Sequence, residues 1–395
     1  MRDKHPKPGN GGFGGRGTTL TGTRFQMAKS TIRDVAKRAK VSLKSVSRVI
    51  NHETSVREET RNRVLQAIAD LNYQPDLSAR SLRSARSYAI GLVYDNPNPY
   101  YVISVQNGVL SACRERWFGL QIHPCNSASP RLGEELVELA QRSRLAGLVL
   151  APPMSERTDI VKFLADNGVK FVRIISAAED PHDEFPCVFV DDRDAAYDIT
   201  EHLIQLGHVR IGFLWGGKSH RSSWERYKGY ESALKDYGIA LDKRLIVEGD
   251  YSFDDGFRGG RKLLATPDRP TAVFGSNDEI AAGVIAAAKS SGLDVPFDLS
   301  VAGFEDSPFS KHSWPALTTA KQATEDIARS AALRLMAGLA TKDGEPTGPQ
   351  PPNEGFSPQL VVRGSTAPLR QRQASSGQAE ASPAAAGTTR RSRKA

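Results

Sequence analysis

From Ala89 to about Val362 the sequence alternates short apolar runs with amphipathic stretches of helix length. The runs are Ile90–Tyr94, Leu120–His123, Gly147–Leu150, Phe171–Ile175, Val188–Val190, Ile211–Trp215, Ile246–Val247, Ala272–Phe274 and Leu299–Gly303. Strands that alternate with helices predict βαβ units, hence parallel sheets covered on both faces. Some 275 residues exceed one comfortable doubly wound unit, so two such lobes are expected. The Pro- and Gly-rich stretch 341–358 reads as a loop before a last strand, Gln359–Val362.

Ahead of this region the period changes. Ile32, Val35, Ala36 and Ala39 recur at helical spacing behind Thr31 and Asp34, which are placed as a capping box. A second pattern follows the candidate cap Ser42, with Val46, Val49 and Ile50 on one face. A third carries Val64, Leu65, Ile68 and Leu71 behind Ser55-Val56-Arg57-Glu58, another capping-box spacing. Three small helices here make one miniature core.

Charge is divided in the same places. Of 53 Lys+Arg and 45 Asp+Glu, residues 1–86 hold 18 and 7, residues 87–365 hold 29 and 37, and residues 366–395 hold 6 and 1. Cationic ends on an acidic middle point to a nucleic-acid or membrane contact carried by an end. No apolar run approaches the roughly 18 residues of a membrane helix, and residues 1–28 lack the apolar stretch of a secretory signal. Cys113, Cys125 and Cys187 are too few and too scattered for a disulfide framework. A reducing, cytoplasmic location is therefore expected, with no membrane partner. Residues 1–28 (Gly/Thr-rich) and 366–395 (Ala/Ser/Gln/Arg-rich) read as disordered tails. Met27, just before the first patterned segment, is a candidate translation start.

On the second helix, Leu43, Lys44, Ser45, Ser47 and Arg48 project away from Val49 and Ile50. Hydroxyls can reach phosphates and an arginine can bridge two guanine acceptors, so the face suits a major groove. A solvated helix face has the same composition, and this helix alone does not separate the two readings.

Several motifs in order do. Thr31-Ile32-Arg33-Asp34-Val35-Ala36, Val41-Ser42, Val46-Ser47-Arg48-Val49-Ile50-Asn51 and Leu71-Asn72-Tyr73-Gln74-Pro75 resemble the helix-turn-helix headpiece of the LacI/GalR family of bacterial transcriptional regulators. The resemblance continues through Leu206-Gly207-His208, Ser276-Asn277-Asp278, Val301-Ala302-Gly303-Phe304 and Leu317-Thr318-Thr319, and so spans about residues 30–365. It implies an α/β chain with a headpiece over 29–74, a hinge helix and linker over 75–87, and a two-lobed periplasmic-binding-protein-like body over 88–365. The chain would cross between lobes near Asp191, near Thr319 and again toward the C-terminus.

The resemblance further implies a DNA-binding regulator of repressor type, acting as a homodimer on a double-stranded operator. Its base-reading positions fall on Leu43, Lys44 and Arg48, with Thr31, Ser42, Ser45, Ser47 and Asn51 around them. Leu43 also has a core reading, three residues before Val46. Lys40 stands where the family usually has Gly in the turn; if that position needs positive φ, the lysine costs about 1 kcal/mol. In Asp76-Leu77-Ser78-Ala79-Arg80-Ser81-Leu82-Arg83, which matches the hinge, Leu82 is the implied minor-groove wedge with Ala79 beside it.

In the body, the resemblance places a small-molecule effector between the lobes, in contact with Arg226, Asn277 and Glu305, with Tyr251 as an aromatic platform and Tyr101 in the first-lobe loop Asp95–Tyr101. Arginine and carboxylate beside an aromatic suit a sugar, though purines can use much the same set. Trp215, Trp224 and Trp314 read equally as core or ligand contacts. Asp192 and Arg193 read as structural, and His208 as a helix-end cap. No metal-spaced cluster or nucleophile elbow is evident, so no catalytic residue, metal or cofactor is expected. Gly212–Ser219 spells a phosphate-loop pattern, but Phe213-Leu214-Trp215 reads as the strand itself. Gly12–Gly17 spells GxGxxG within the low-complexity leader, with no strand before it.

Overall fold

A computed structural model describes residues 30–50, 55–75, 81, 87–176, 185–339 and 353–370. The chain divides into two compact units, residues 1–76 and 77–395.

The first unit holds helices α1 (Ile32–Ala39), α2 (Leu43–Ile50) and α3 (Glu58–Asp70). The capping box opens α1: Asp34 N donates to Thr31 Oγ1 at 3.4 Å, and Thr31 N donates to Asp34 Oδ2 at 2.8 Å. The helix stops at Lys40, whose φ of 53° and ψ of 47° are left-handed. Ser42 Oγ accepts from Ser45 N at 3.1 Å and so starts α2. The capping box expected at Ser55 and Glu58 does not form: α3 starts after Arg57 without a side-chain cap, and Glu58 and Glu59 meet its positive end instead. Val35, Ala36, Ala39, Val46, Val49, Ile50, Val64, Ala67 and Ile68 are buried. Leu65, expected on that face, is 44% exposed, because adjacent helix positions diverge by about 100° and Val64 already faces inward. Arg38 pairs with Asp70, and Ser30 Oγ donates to Leu71 O at 2.9 Å, closing α1 onto α3.

The second unit contains two six-stranded sheets. The first has the order β11-β5-β4-β3-β1-β2, from β1 (Ala89–Tyr94), β2 (Gly119–Pro124), β3 (Gly147–Leu150), β4 (Phe171–Ser176), β5 (Cys187–Val190) and β11 (Glu354–Phe356). The second repeats it as β12-β10-β9-β8-β6-β7, from β6 (Ile211–Leu214), β7 (Ile246–Val247), β8 (Ala272–Gly275), β9 (Ser300–Glu305), β10 (Thr318–Lys321) and β12 (Gln359–Val361). Among the described residues only β12 is antiparallel to its neighbour. Both orders reverse direction once, between β1 and β3 and between β6 and β8, and clefts open beyond strand ends at such points.

Two strands were not evident as apolar runs. β10 is polar in composition, and its buried hydroxyls are satisfied internally: Thr319 Oγ1 donates to Asp278 Oδ1 at 2.6 Å, and Thr318 Oγ1 lies 3.0 Å from Thr366 Oγ1. β11 is a three-residue edge strand inside the stretch expected to be loop. The chain crosses between lobes after β5, after β10 and between β11 and β12. The body also continues past residue 365, the expected start of the tail: Leu369 N donates to Leu206 O at 2.8 Å, and Arg370 covers the Phe297 ring at 4.1 Å.

Helices cover both faces of each sheet. In the first lobe α4 (Pro99–Arg116) lies against α12 (Thr324–Leu339), and in the second α7 (Asp192–Gln205) lies against α8 (Arg221–Asp236). The remaining helices are α5 (Leu132–Arg142), α6 (Thr158–Asp166), α9 (Phe253–Leu264), α10 (Asp278–Ser290) and α11 (Pro308–His312). A Cβ at Gly108 would lie 2.1 Å from Glu325 O, so α4 and α12 touch backbone to backbone. Among the described residues no helix is long and apolar enough to cross a membrane.

Candidate functional site

Two regions carry the residues singled out by sequence. In the headpiece, α2 buries Val46, Val49 and Ile50 and turns Leu43 and Lys44 to solvent. Leu43 is 46% exposed, which separates it from the core. Ser45, Ser47 and Arg48 are half-buried, and Thr31 and Ser42 spend their side chains as helix caps at the surface. The positive φ at Lys40 meets the condition set for its strain. Asn51, Ala79 and Leu82 lie outside the described residues.

In the body, a cavity of about 40 Å³ lies between the lobes, walled by strand-end loops from both. Arg226 of α8 is at its centre, 3% exposed. Its Nε donates to Asp192 Oδ1 at 2.8 Å, and Nη1 donates to Ser276 O at 2.6 Å and lies 3.8 Å from Glu305 Oε1. Its guanidinium rests 3.8 Å from the Phe304 ring centroid, so a cation enters an apolar wall only with an acid beside it. Ser176 Oγ donates to the other Asp192 oxygen.

Glu305 ends β9 at a φ of 107°, and its Oε2 accepts from Asn98 Nδ2 at 2.9 Å, a hydrogen bond between lobes. Burial outweighs the pull of Arg226 and pushes the Glu305 carboxyl up to about 8. A second interlobe link comes from Glu156, whose Oε1 accepts from Ser176 N at 2.8 Å and whose Oε2 accepts from Arg221 N at 3.3 Å. Burial raises that carboxyl to about 7. Asn98 also caps α4 through Tyr100 N and Tyr101 N, which places the Tyr101 ring on the wall.

Tyr251 adopts a φ of 59°, and its hydroxyl lies 2.6 Å from Ser223 Oγ and 3.0 Å from Ser222 Oγ. Its ring occupies the space a side chain at Gly216 would need: a Cβ there would be 2.2 Å from ring carbons. Gly216 of the apparent phosphate loop is thus accounted for by packing, and Phe213-Leu214 are buried strand residues.

Of the expected effector residues, Tyr101, Arg226, Tyr251 and Glu305 line the cavity together. Asn277 does not: its Oδ1 accepts from Ile280 N at 2.9 Å and its Nδ2 donates to Tyr251 O at 3.2 Å, so it holds the tyrosine backbone and caps α10 from behind. Trp215, Trp224 and Trp314 stay off the wall; Trp215 is buried on Tyr227 at 4.6 Å, and Trp314 is 83% exposed. Asp192, read as structural, lines the cavity as the partner of Arg226, whereas Arg193 pairs with Glu225. Asn96, Ser176, His220, Ser222 and Gln322 join it. Several follow strand ends, the one signal that could have found them. His208 Nδ1 lies 3.0 Å from Thr271 Oγ1 and its Nε2 3.0 Å from Ser300 Oγ, so it knits strand starts together. Among the described residues, no group of three or more His, Cys, Asp or Glu is arranged to hold a metal.

Comparison with known proteins agrees with both regions. Residues 31–76 match the model for bacterial regulatory proteins of the lacI family, and residues 200–366 match the periplasmic binding protein-like domain. The chain is 32% identical over 339 residues to the HTH-type transcriptional repressor PurR of Haemophilus influenzae, covering 85% of this chain and 98% of that one. It is 31% identical over 346 residues to the HTH-type transcriptional regulator DegA of Bacillus subtilis, covering 86% and 99%. Among solved structures it resembles the lac repressor dimer bound to operator and the anti-inducer ONPF, at 27% identity and a TM-score of 0.65 over 86% of this chain and 99% of that one. It also resembles the transcriptional regulator CelR in complex with cellobiose, at 29% identity and a TM-score of 0.63 over 85% of this chain and all of that one. A helix-turn-helix reader, a two-lobed body and kinship of this extent lead to one assignment: the chain belongs to the lacI family of bacterial regulatory proteins, DNA-binding transcriptional repressors.

Proposed function

We propose that the protein represses transcription as a homodimer on a pseudo-palindromic operator, and that a neutral carbohydrate bound between the lobes sets its operator affinity. Leu43, Lys44 and Arg48 read bases in each half-site. Thr31, Ser42, Ser45, Ser47 and Asn51 position the headpiece on phosphates, and Leu82 with Ala79 forms the hinge wedge. One headpiece reads only one half-site, so the symmetric operator requires two copies.

The observation that carries the effector reading is the hydrogen bond from Asn98 to Glu305 across the cleft, next to Arg226. A ligand that takes over Asn98, Glu305 and Arg226 contacts both lobes at once. It therefore has different affinities for the open and closed arrangements, the condition for shifting a population. The charge balance favours a neutral polyol. Arg226 is already paired with Asp192, and burial raises the Glu305 and Glu156 carboxyls above the usual carboxylate range, so the guanidinium offers an anion no uncompensated charge. Hydroxyls can donate to the Asp192 carboxylate, exchange hydrogen bonds with the Glu305 carboxyl and accept from the guanidinium.

Footprinting tests the DNA half. A palindromic sequence selected from random duplexes should be protected, with affinity falling steeply as salt rises. Protection of no palindrome at any ionic strength would overturn it. A thermal-shift screen of neutral sugars and of purine bases tests the effector half; stabilisation by purines alone would replace the carbohydrate.

A further inference from the structure

The 40 Å³ cavity at Arg226 has a neighbour ten times larger. A cavity of about 410 Å³ opens between the start of α4, the segment from Glu305 to α11, and the second interlobe crossing. The two share Tyr101, Glu305 and Gln322 as a common wall. The outer cavity adds Tyr100 and Ser104 from the first lobe, Asp306 and Lys311 from the second, and Asp326 from the first turn of α12.

Resting on the carbohydrate reading above, we infer that these are two subsites of one elongated cleft and that the effector is a neutral disaccharide or longer oligosaccharide. One sugar unit engages Arg226, Asp192 and Glu305 in the inner cavity, and the next lies in the outer one. Three observations carry this. The shared wall is polar and unfinished: Gln322 Oε1 is buried and accepts no hydrogen bond, as suits a group placed to receive a ligand hydroxyl. The outer lining is mixed, with an aromatic edge where Tyr100 meets Phe309 at 5.5 Å between ring centroids, a serine hydroxyl, and acids and lysines together. Its carboxylates, from Asp306, Glu325 and Asp326, outnumber the ammonium groups of Lys311 and Lys321, which disfavours a phosphorylated sugar. The size of the outer space is the third: it lies within the usual range for small-molecule sites, and the inner one, about 40 Å³ as it stands, takes a sugar unit as the lobes part around it.

Isothermal titration of the full-length protein decides it, using D-glucose, D-galactose, cellobiose, maltose and lactose, with hypoxanthine and guanine alongside. At least one disaccharide is expected to bind at least tenfold more tightly than either of its component sugars. In Ser104→Phe, which obstructs the outer cavity, that advantage should vanish while monosaccharide affinity changes less than twofold. Circular dichroism and operator binding would establish that the variant folds. Component sugars binding as tightly as the disaccharides would overturn the two-subsite inference and leave the carbohydrate reading standing. Binding of purines with no response to any sugar would overturn both.

Discussion

The headpiece and the body place their functional residues at opposite extremes of exposure. On α2 the proposed readers Leu43 and Lys44 stand at the surface, with Leu43 46% exposed and Arg48 half-buried, while Val46, Val49 and Ile50 supply that helix's share of the core. In the cleft, Arg226 is 3% exposed and held by Asp192, Ser276 and the Phe304 face. Exposed readers can change without unfolding the domain and act through long-range charge that salt screens. Buried binders are part of the packing, so function and stability fail together. Substitutions in the two regions should therefore behave differently.

Arg226→Ala should show the largest effect. It leaves the Asp192 carboxylate buried without its cation, a loss on the order of 3–5 kcal/mol. Urea unfolding of the body should reveal it, and ligand response should disappear. Arg226→Lys should not restore the response, because a point charge cannot replace a planar group that bonds Asp192 and Ser276 O at once. An Arg226→Ala protein that still responds to effector would break the comparison at its strongest point.

Lys44→Ala should weaken operator binding by about 1–3 kcal/mol, the scale of one base contact, with an unchanged melting temperature. Leu43→Ala distinguishes base contact from packing: equal stability with weaker operator binding supports the first, and a marked loss of stability the second. Leu82→Ala, in the hinge, should lower operator affinity and leave effector affinity within twofold, as measured by fluorescence anisotropy and calorimetry.

The difference in exposure also explains what sequence could show. Parallel-strand runs are strongly apolar because both faces are covered, so β1 to β9 were legible to within a residue or two. β10 was not, because Thr318 and Thr319 satisfy their hydroxyls in three dimensions, through Thr366 and Asp278. Arg226 and Glu305 were named through family resemblance. Asp192 was passed over because an acid after a strand looks like an ordinary crossover residue until Arg226, 34 positions later, is seen to bond it. Asn277 shows the same ambiguity from the other side: a helix cap, which it is in the fold, and a ligand contact have the same sequence signature. Cleft geometry is a property of distant pairs, and no local pattern records it.

Glu305 offers a finer test inside the body. Its carboxyl is raised from 4.5 to about 8 in the fold, so the folded state holds its proton more tightly than the unfolded chain does. Its contribution is therefore fully present below about pH 4.5 and is lost as pH rises toward 8. Glu305→Gln keeps the neutral shape at every pH. The melting temperature of the variant relative to the parent should thus rise steadily from pH 5 to pH 8. A constant difference would show that Glu305 is ionised throughout and that Arg226, 3.8 Å away, outweighs its burial.

The smallest effect is expected at Lys40, where the headpiece itself departs from the contrast. Its φ of 53° is a left-handed conformation that glycine adopts freely and a side chain resists. Lys40→Gly should relieve that strain, although glycine also loosens the unfolded chain, which offsets part of the gain; a net stabilisation of about 1 kcal/mol is the upper bound. The exposed lysine follows Lys37 and Arg38 in the turn before α2, where a phosphate can approach. Its removal should weaken operator binding and reduce the slope of log affinity against log salt by about one. A headpiece that gains stability and loses operator affinity would identify strain kept for function. One that gains stability with an unchanged salt slope would make Lys40 a tolerated defect, and the base-reading face would then begin at Leu43.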